Sequence, residues 1–94
     1  MKNDLQYIID NNSYDIIDVR TREEFQENHI SNSINIPMHE LPDKIQEIKK
    51  NTKDIIICCK SGQRSQQTVE FLKSVGINNV YDGGGWAQID NLIK

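Results

Sequence analysis

This chain has little that would suit a nucleic acid, a bilayer or a disulfide scaffold. Its arginines number three (Arg20, Arg22, Arg64), its lysines are scattered, and 11 basic against 14 acidic residues leave a formal charge of −3. Such a balance lacks the basic stripe that a phosphate backbone requires, so no nucleic-acid partner is expected. No apolar run approaches the roughly 20 residues that span a bilayer. The longest, Ile55 to Cys59, has the length of a strand. The start, MKNDLQYIID, lacks the pattern of a signal peptide. The two cysteines, Cys58 and Cys59, are neighbours and so do not join distant segments. Together these absences set the expectation of no membrane association. They also suggest a reducing cytoplasm, where a thiol stays available for chemistry.

What is present is the composition of a folded domain. Of 94 residues, 36% are apolar and 27% charged, which suits one compact domain over residues 1–94. Apolar stretches alternate with amphipathic ones. Leu5, Ile8 and Ile9 stand at helical spacing within residues 4–10. Residues 14–19 read as a strand. Thr21 and Glu24 then match a capping box, and the helix they open should end near Asn28, a residue that tolerates left-handed geometry. Residues 33–36 form a short strand stopped by Pro37. Pro42 opens a helix with Ile45 and Ile48 on its apolar face. Residues 54–59 read as a fully buried strand, 65–75 as a helix ended by Gly76, and 79–81 as a strand. Gly83, Gly84 and Gly85 then allow a sharp turn into a last helix holding Trp86 and Ile89. Alternating strands and helices predict a parallel sheet covered on both faces. Its working site lies beyond the carboxyl ends of the strands.

Beyond the buried strand stands Cys59-Lys60-Ser61-Gly62-Gln63-Arg64-Ser65. A strand, a tight loop and a helix start would aim loop amides at the cysteine sulfur. Gly62 permits a positive φ, Arg64 adds a permanent charge with a fork of donors, and Lys60 adds a rim charge. Each favours thiolate over thiol, and the same amides would hold an oxyanion of sulfur or phosphorus. A cation at a helix start is discordant with the helix dipole unless an anion faces it, which points again to a bound anion at Arg64.

Three stretches together resemble the rhodanese family. Asp18-Val19-Arg20 with Glu24-Phe25, His29-Ile30 and Asn35-Ile36-Pro37 resembles its amino-terminal signature. Residues 59–65 resemble its active-site loop, and Tyr81-Asp82-Gly83-Gly84 with Trp86 its carboxyl-terminal one. The resemblance implies a single rhodanese-like α/β domain. Its small parallel sheet would have about five strands, with helices on both faces. It implies a thiosulfate sulfurtransferase in which Cys59 becomes a persulfide and residues 60–65 cradle the anion. The sulfur would pass to cyanide in the test tube or to a thiol acceptor in the cell. A cysteine desulfurase is a further possible partner.

Asp18, Arg20 and His29 fit structural support of the site. His29 has no second ligand at metal spacing, and neither a metal nor an organic cofactor is implied. Trp86 reads as a lid or core aromatic, His39 as solvated. Cys58 should face the opposite side of the sheet and enter the core. Other readings stay open: a partner-loaded sulfur carrier, and a redox sensor using both thiols. A third is a cysteine-dependent phosphatase or arsenate reductase, since Arg64 lies five positions after Cys59 but six after Cys58.

Overall fold

The run of isoleucines at 55–57 becomes the centre of the molecule. The computed structural model describes residues 4–94; residues 1–3, where the segment read for a signal peptide begins, lie outside the described residues. Strand β3 (Asp54–Cys59) is flanked by β1 (Tyr14–Asp18) on one side and β4 (Val80–Gly85) on the other, with β2 (Ile34–Asn35) beyond β1. All pairings are parallel, and Ile17 and Asp18 stand opposite Ile57 and Cys58. From Ile55 to Cys59 every residue is buried, as a strand packed on both faces demands.

Among the described residues the sheet has four strands where about five were expected. The four apolar runs of the sequence each form one strand. The remaining described chain goes into α1 (Asp4–Asn11), α2 (Arg22–Glu27), α3 (Leu41–Lys49), α4 (Gln63–Ser74), α5 (Trp86–Ile93), a single 3₁₀ turn at Met38–Glu40 and their connections. No apolar run is left for a fifth strand.

Helices cover both faces. Ile17, Ile55, Ile57 and Cys59 pack with Leu41 and Ile48 of α3 and Val69 and Leu72 of α4. Ile16, Ile56 and Cys58 pack with Ile8 of α1 and Ile89 of α5. Period-two alternation thus sends Cys58 and Cys59 to opposite faces, with Cys58 in the α1/α5 core as its position in the strand predicts.

Two local expectations differ. Asn28, which caps the end of α2, has φ −170°, an extended rather than left-handed conformation. Its side-chain oxygen accepts the His29 amide at 3.0 Å and its carbonyl accepts Arg20 Nη2 at 2.8 Å, and these bonds hold the chain extended. The three glycines, read as a turn, are the last three residues of β4. Ile57 pairs with Asp82 but Cys58 with Gly84, so Gly83 is the extra residue of a bulge. A Cβ on Gly83 would stand 2.7 Å from Ile56 Cγ2 and 3.0 Å from the Ile57 carbonyl oxygen. Glycine is needed here for close approach. Gly83→Ala should cost about 2 kcal/mol by overpacking and lower the melting temperature by roughly 10 °C. A melting temperature within about 2 °C of wild type would show that the sheet yields freely there.

Candidate active site

Strand β3 delivers Cys59 to the carboxyl edge of the sheet, and the chain then turns back over it. Gly62 makes the turn at φ +103°, a left-handed conformation that a side chain would strain. That geometry returns the Gly62 amide to Cys59 Sγ at 2.9 Å, and the Ser65 amide, in the first turn of α4, approaches at 3.4 Å. Cys59 is fully buried. Burial alone would push its pKa up. The amide and hydroxyl of Ser65 and the amides of Gly62 and Ser61 outweigh burial, and the pKa is lowered.

Cys58 has the opposite environment. Burial pushes its thiol up to about 12, with Asp18 adding to the rise. Cys58 is therefore a thiol at neutral pH and faces away from the amide loop. The Gly62 and Ser65 amides point at the sulfur of Cys59, five positions before Arg64, and not at that of Cys58, six before it.

The remaining loop residues divide. Lys60 is exposed at the rim. It lines a cavity of about 220 Å³ together with Arg20, Glu24, Glu27, Asn28 and Trp86. Gln63 begins α4 and is exposed. Ser65 is fully buried, and its hydroxyl lies 3.0 Å from the Gly62 carbonyl and 2.6 Å from Asp82 Oδ1. A larger cavity of about 320 Å³ sits at the other end of β1, around Asn12, Tyr14, Asp15 and Asn32, with no cysteine or histidine in its lining.

Arg64 meets an anion inside the protein. Its Nη1 and Nη2 donate to Glu24 Oε1 and Oε2 at 2.8 and 3.1 Å, a bidentate pair joining α4 to α2. Glu24 also completes the Thr21 capping box, accepting the Thr21 amide at 3.0 Å while its own amide donates to Thr21 Oγ1 at 3.2 Å. The Arg64 hydrogen bond, then that from Thr21, holds the Glu24 carboxyl at about 2, well below its ordinary 4.5. The pair's stabilisation is complete above pH 4.5 and is lost as the pH falls toward 2. The cation at the helix start thus has a fixed partner 40 residues away, which local sequence does not announce.

Asp18 and Arg20 form a buried pair. Arg20 donates from Nη2 to Asp18 Oδ2 at 2.7 Å and from Nε to Oδ1 at 3.0 Å, and its amide adds a 3.0 Å bond to Oδ1. The guanidinium also reaches the Asn28 carbonyl and lies over the Trp86 ring, 5.0 Å from its centroid. One ion pair thereby ties the ends of β1 and α2 to the start of α5. His29 stacks on Phe25 at 3.8 Å, and its Nδ1 lies 2.7 Å from the Phe25 carbonyl, so it belongs to the end of α2 and not to the thiol. Among the described residues, no group of three His, Cys, Asp or Glu side chains could hold a metal ion. None of their helices is long and apolar enough to cross a membrane.

The pairing of Glu24 with Arg64, beyond its place in the capping box, and the contact of Asp82 with Ser65 are what sequence reasoning missed. Glu24 and Asp82 both stand in the stretches compared above. Their partners, Arg64 and Ser65, lie on a different element in each case, which local pattern does not reveal.

The fold and this loop define a class of protein: a small parallel α/β domain that presents a cysteine sulfur to amides at the start of a helix. The chain belongs to the rhodanese-like domain family, which matches residues 1–91. It is similar to the thiosulfate sulfurtransferase PspE of Escherichia coli (strain K12), 34% identical over 74 residues, covering 78% of this chain and 71% of that protein. It is also similar to a sulfurtransferase of Allochromatium vinosum, 33% identical over 87 residues, covering 88% of this chain and 80% of that protein. Among solved structures, a rhodanese with anions from E. coli matches with a TM-score of 0.72 at 30% identity, covering 80% of this chain and 89% of that one.

Proposed function

We propose that this chain is a single sulfurtransferase domain working in the cytoplasm on thiosulfate or a persulfide donor, with Cys59 as its nucleophile. The observation that carries the reading is the convergence of the Gly62 and Ser65 amides on Cys59 Sγ. The Cys59 thiolate attacks the sulfane sulfur of thiosulfate. A new sulfur–sulfur bond forms, the old one breaks, and sulfite leaves with its electron pair. The outer sulfur of the persulfide then passes to a nucleophilic acceptor, and the thiolate is regenerated. No proton need move in the first half-reaction, so no general base is required. The loop amides face the developing anion in both halves. In an assay the acceptor is cyanide; in the cell it is a thiol, free or carried by a protein. A cysteine desulfurase is the protein donor that the same chemistry could use.

Arg64 serves this reading as a charge beside the donor's sulfonate, held in place by Glu24. Arg64→Ala should raise the KM for thiosulfate about tenfold, because the lost contact is charged but partly exposed to solvent. Its kcat should change by less than about threefold, as expected for an interaction made equally in ground and transition states. Steady-state assays with cyanide at varied thiosulfate read both constants, and an unchanged KM would remove Arg64 from donor binding.

A further inference from the structure

The bulge of β4 places a carboxylate behind the cysteine loop. Asp82 stands opposite Ile57, one residue before Gly83, and Oδ1 accepts two hydrogen bonds. One comes from the Ser65 hydroxyl at 2.6 Å and the other from the Gly84 amide at 2.9 Å. Ser65 is fully buried, and its amide is the longer of the two directed at Cys59 Sγ, at 3.4 Å against 2.9 Å from Gly62. The serine hydroxyl has one proton to give, for which Asp82, the Gly62 carbonyl and Cys59 Sγ compete; a hydroxyl released from Asp82 to the sulfur would lower the Cys59 midpoint, whereas a displaced Ser65 amide raises it. The carboxylate, closer and charged, is a stronger acceptor than the Gly62 carbonyl at 3.0 Å. The first turn of α4 is thus fastened to β4 at the residue whose amide must reach the sulfur.

We propose that Asp82 is a positioning residue for Cys59: it anchors the buried Ser65 hydroxyl to the β4 bulge and so keeps the Ser65 amide on the sulfur. This rests on Cys59 being the nucleophile. Bulges commonly re-aim groups beside active sites, and here the extra residue is the glycine with no room for a Cβ.

The sign of the effect separates positioning from simple electrostatics. Among the described residues, the charged and titratable groups around this end of β3 are Arg64 of α4 with its partner Glu24 of α2, Asp18 of β1 with its partner Arg20, Cys58 of β3, Lys60 of the loop and Asp82 of β4. Removing a nearby negative charge favours the thiolate, so loss of Asp82 by charge alone lowers the Cys59 titration midpoint. Loss of a hydrogen bond to the sulfur raises it.

The experiment follows the ultraviolet absorbance of the thiolate across pH, with Cys59→Ser as baseline, and records the melting temperature of each variant. Asp82→Ala should raise the midpoint by about one pH unit, a roughly tenfold loss of thiolate near neutrality. Asp82→Asn keeps an acceptor oxygen of the same shape and should stay at or below the wild-type midpoint. An Asp82→Ala midpoint at or below wild type overturns the proposal, whatever happens to the melting temperature. So does an Asp82→Asn midpoint raised as far as that of Asp82→Ala. Should Asp82→Ala not fold, Asp82→Val, which suits a strand position and offers the Ser65 hydroxyl no acceptor, must raise the midpoint; an unchanged or lowered value overturns the proposal. Sulfur uptake by the wild-type protein is read separately. Its failure, with the midpoints as expected, would remove the sulfurtransferase reading and leave the positioning of the thiolate intact.

Discussion

Cys59→Ser should abolish sulfur transfer, by at least about a thousandfold in kcat with thiosulfate and cyanide. The variant keeps the fold, since serine has nearly the shape of cysteine and its oxygen can still accept from the Gly62 amide that now meets Sγ at 2.9 Å. What it loses is the nucleophile. The wild-type sulfur has a lowered pKa because amides point at it, whereas a serine hydroxyl there, met by amides that only donate, stays protonated. Cys58 does not substitute, with its thiol pushed up to about 12 in the opposite core. Cys58→Ser should therefore keep turnover and show its cost in stability alone. Residual activity in Cys59→Ser above about a tenth of wild type would place the chemistry elsewhere.

Asp18→Ala should destabilise the protein by about 3–5 kcal/mol, the usual cost of removing one partner from a buried ion pair. That is a large share of the total stability of a domain of this size, roughly 5–10 kcal/mol. Asp18 is 0% exposed and Arg20 5%, so the substitution leaves a guanidinium that is almost wholly covered without its counter-charge. It would retain the Asn28 carbonyl and the Trp86 ring, neither of which carries a negative charge. Urea denaturation of the two proteins measures the difference. A loss below about 1 kcal/mol would mean that the pair is no brace and that Arg20 is adequately held by its other contacts.

The sequence showed the frame of the site more clearly than its couplings. An unbroken apolar strand ending in Cys59, a glycine three residues on and an amphipathic helix after it locate the amide loop by local pattern alone. The Thr21–Glu24 capping box was legible for the same reason, because both ends lie within one turn. Arg64 was read through the helix dipole as the mark of a bound anion, but the anion facing it is Glu24 of α2. A pairing across 40 residues has no local signature. Asp18, by contrast, bonds to the amide and the guanidinium of Arg20, two residues on, a pairing within local reach of the sequence. Asn28 and the three glycines were misread because composition gives permission without conformation. Asn28 tolerates positive φ but is held extended by two hydrogen bonds. Gly83 serves close packing inside a strand, where Ile56 and Ile89 leave no room for a methyl group.

The central claim is tested most directly by the intact mass of the reduced protein after incubation with thiosulfate, with Cys59→Ser alongside. The account predicts a gain of one sulfur atom in the wild type, reversed by cyanide and absent from the variant. A wild-type mass that does not change, or a gain that persists in Cys59→Ser, would contradict a persulfide at Cys59.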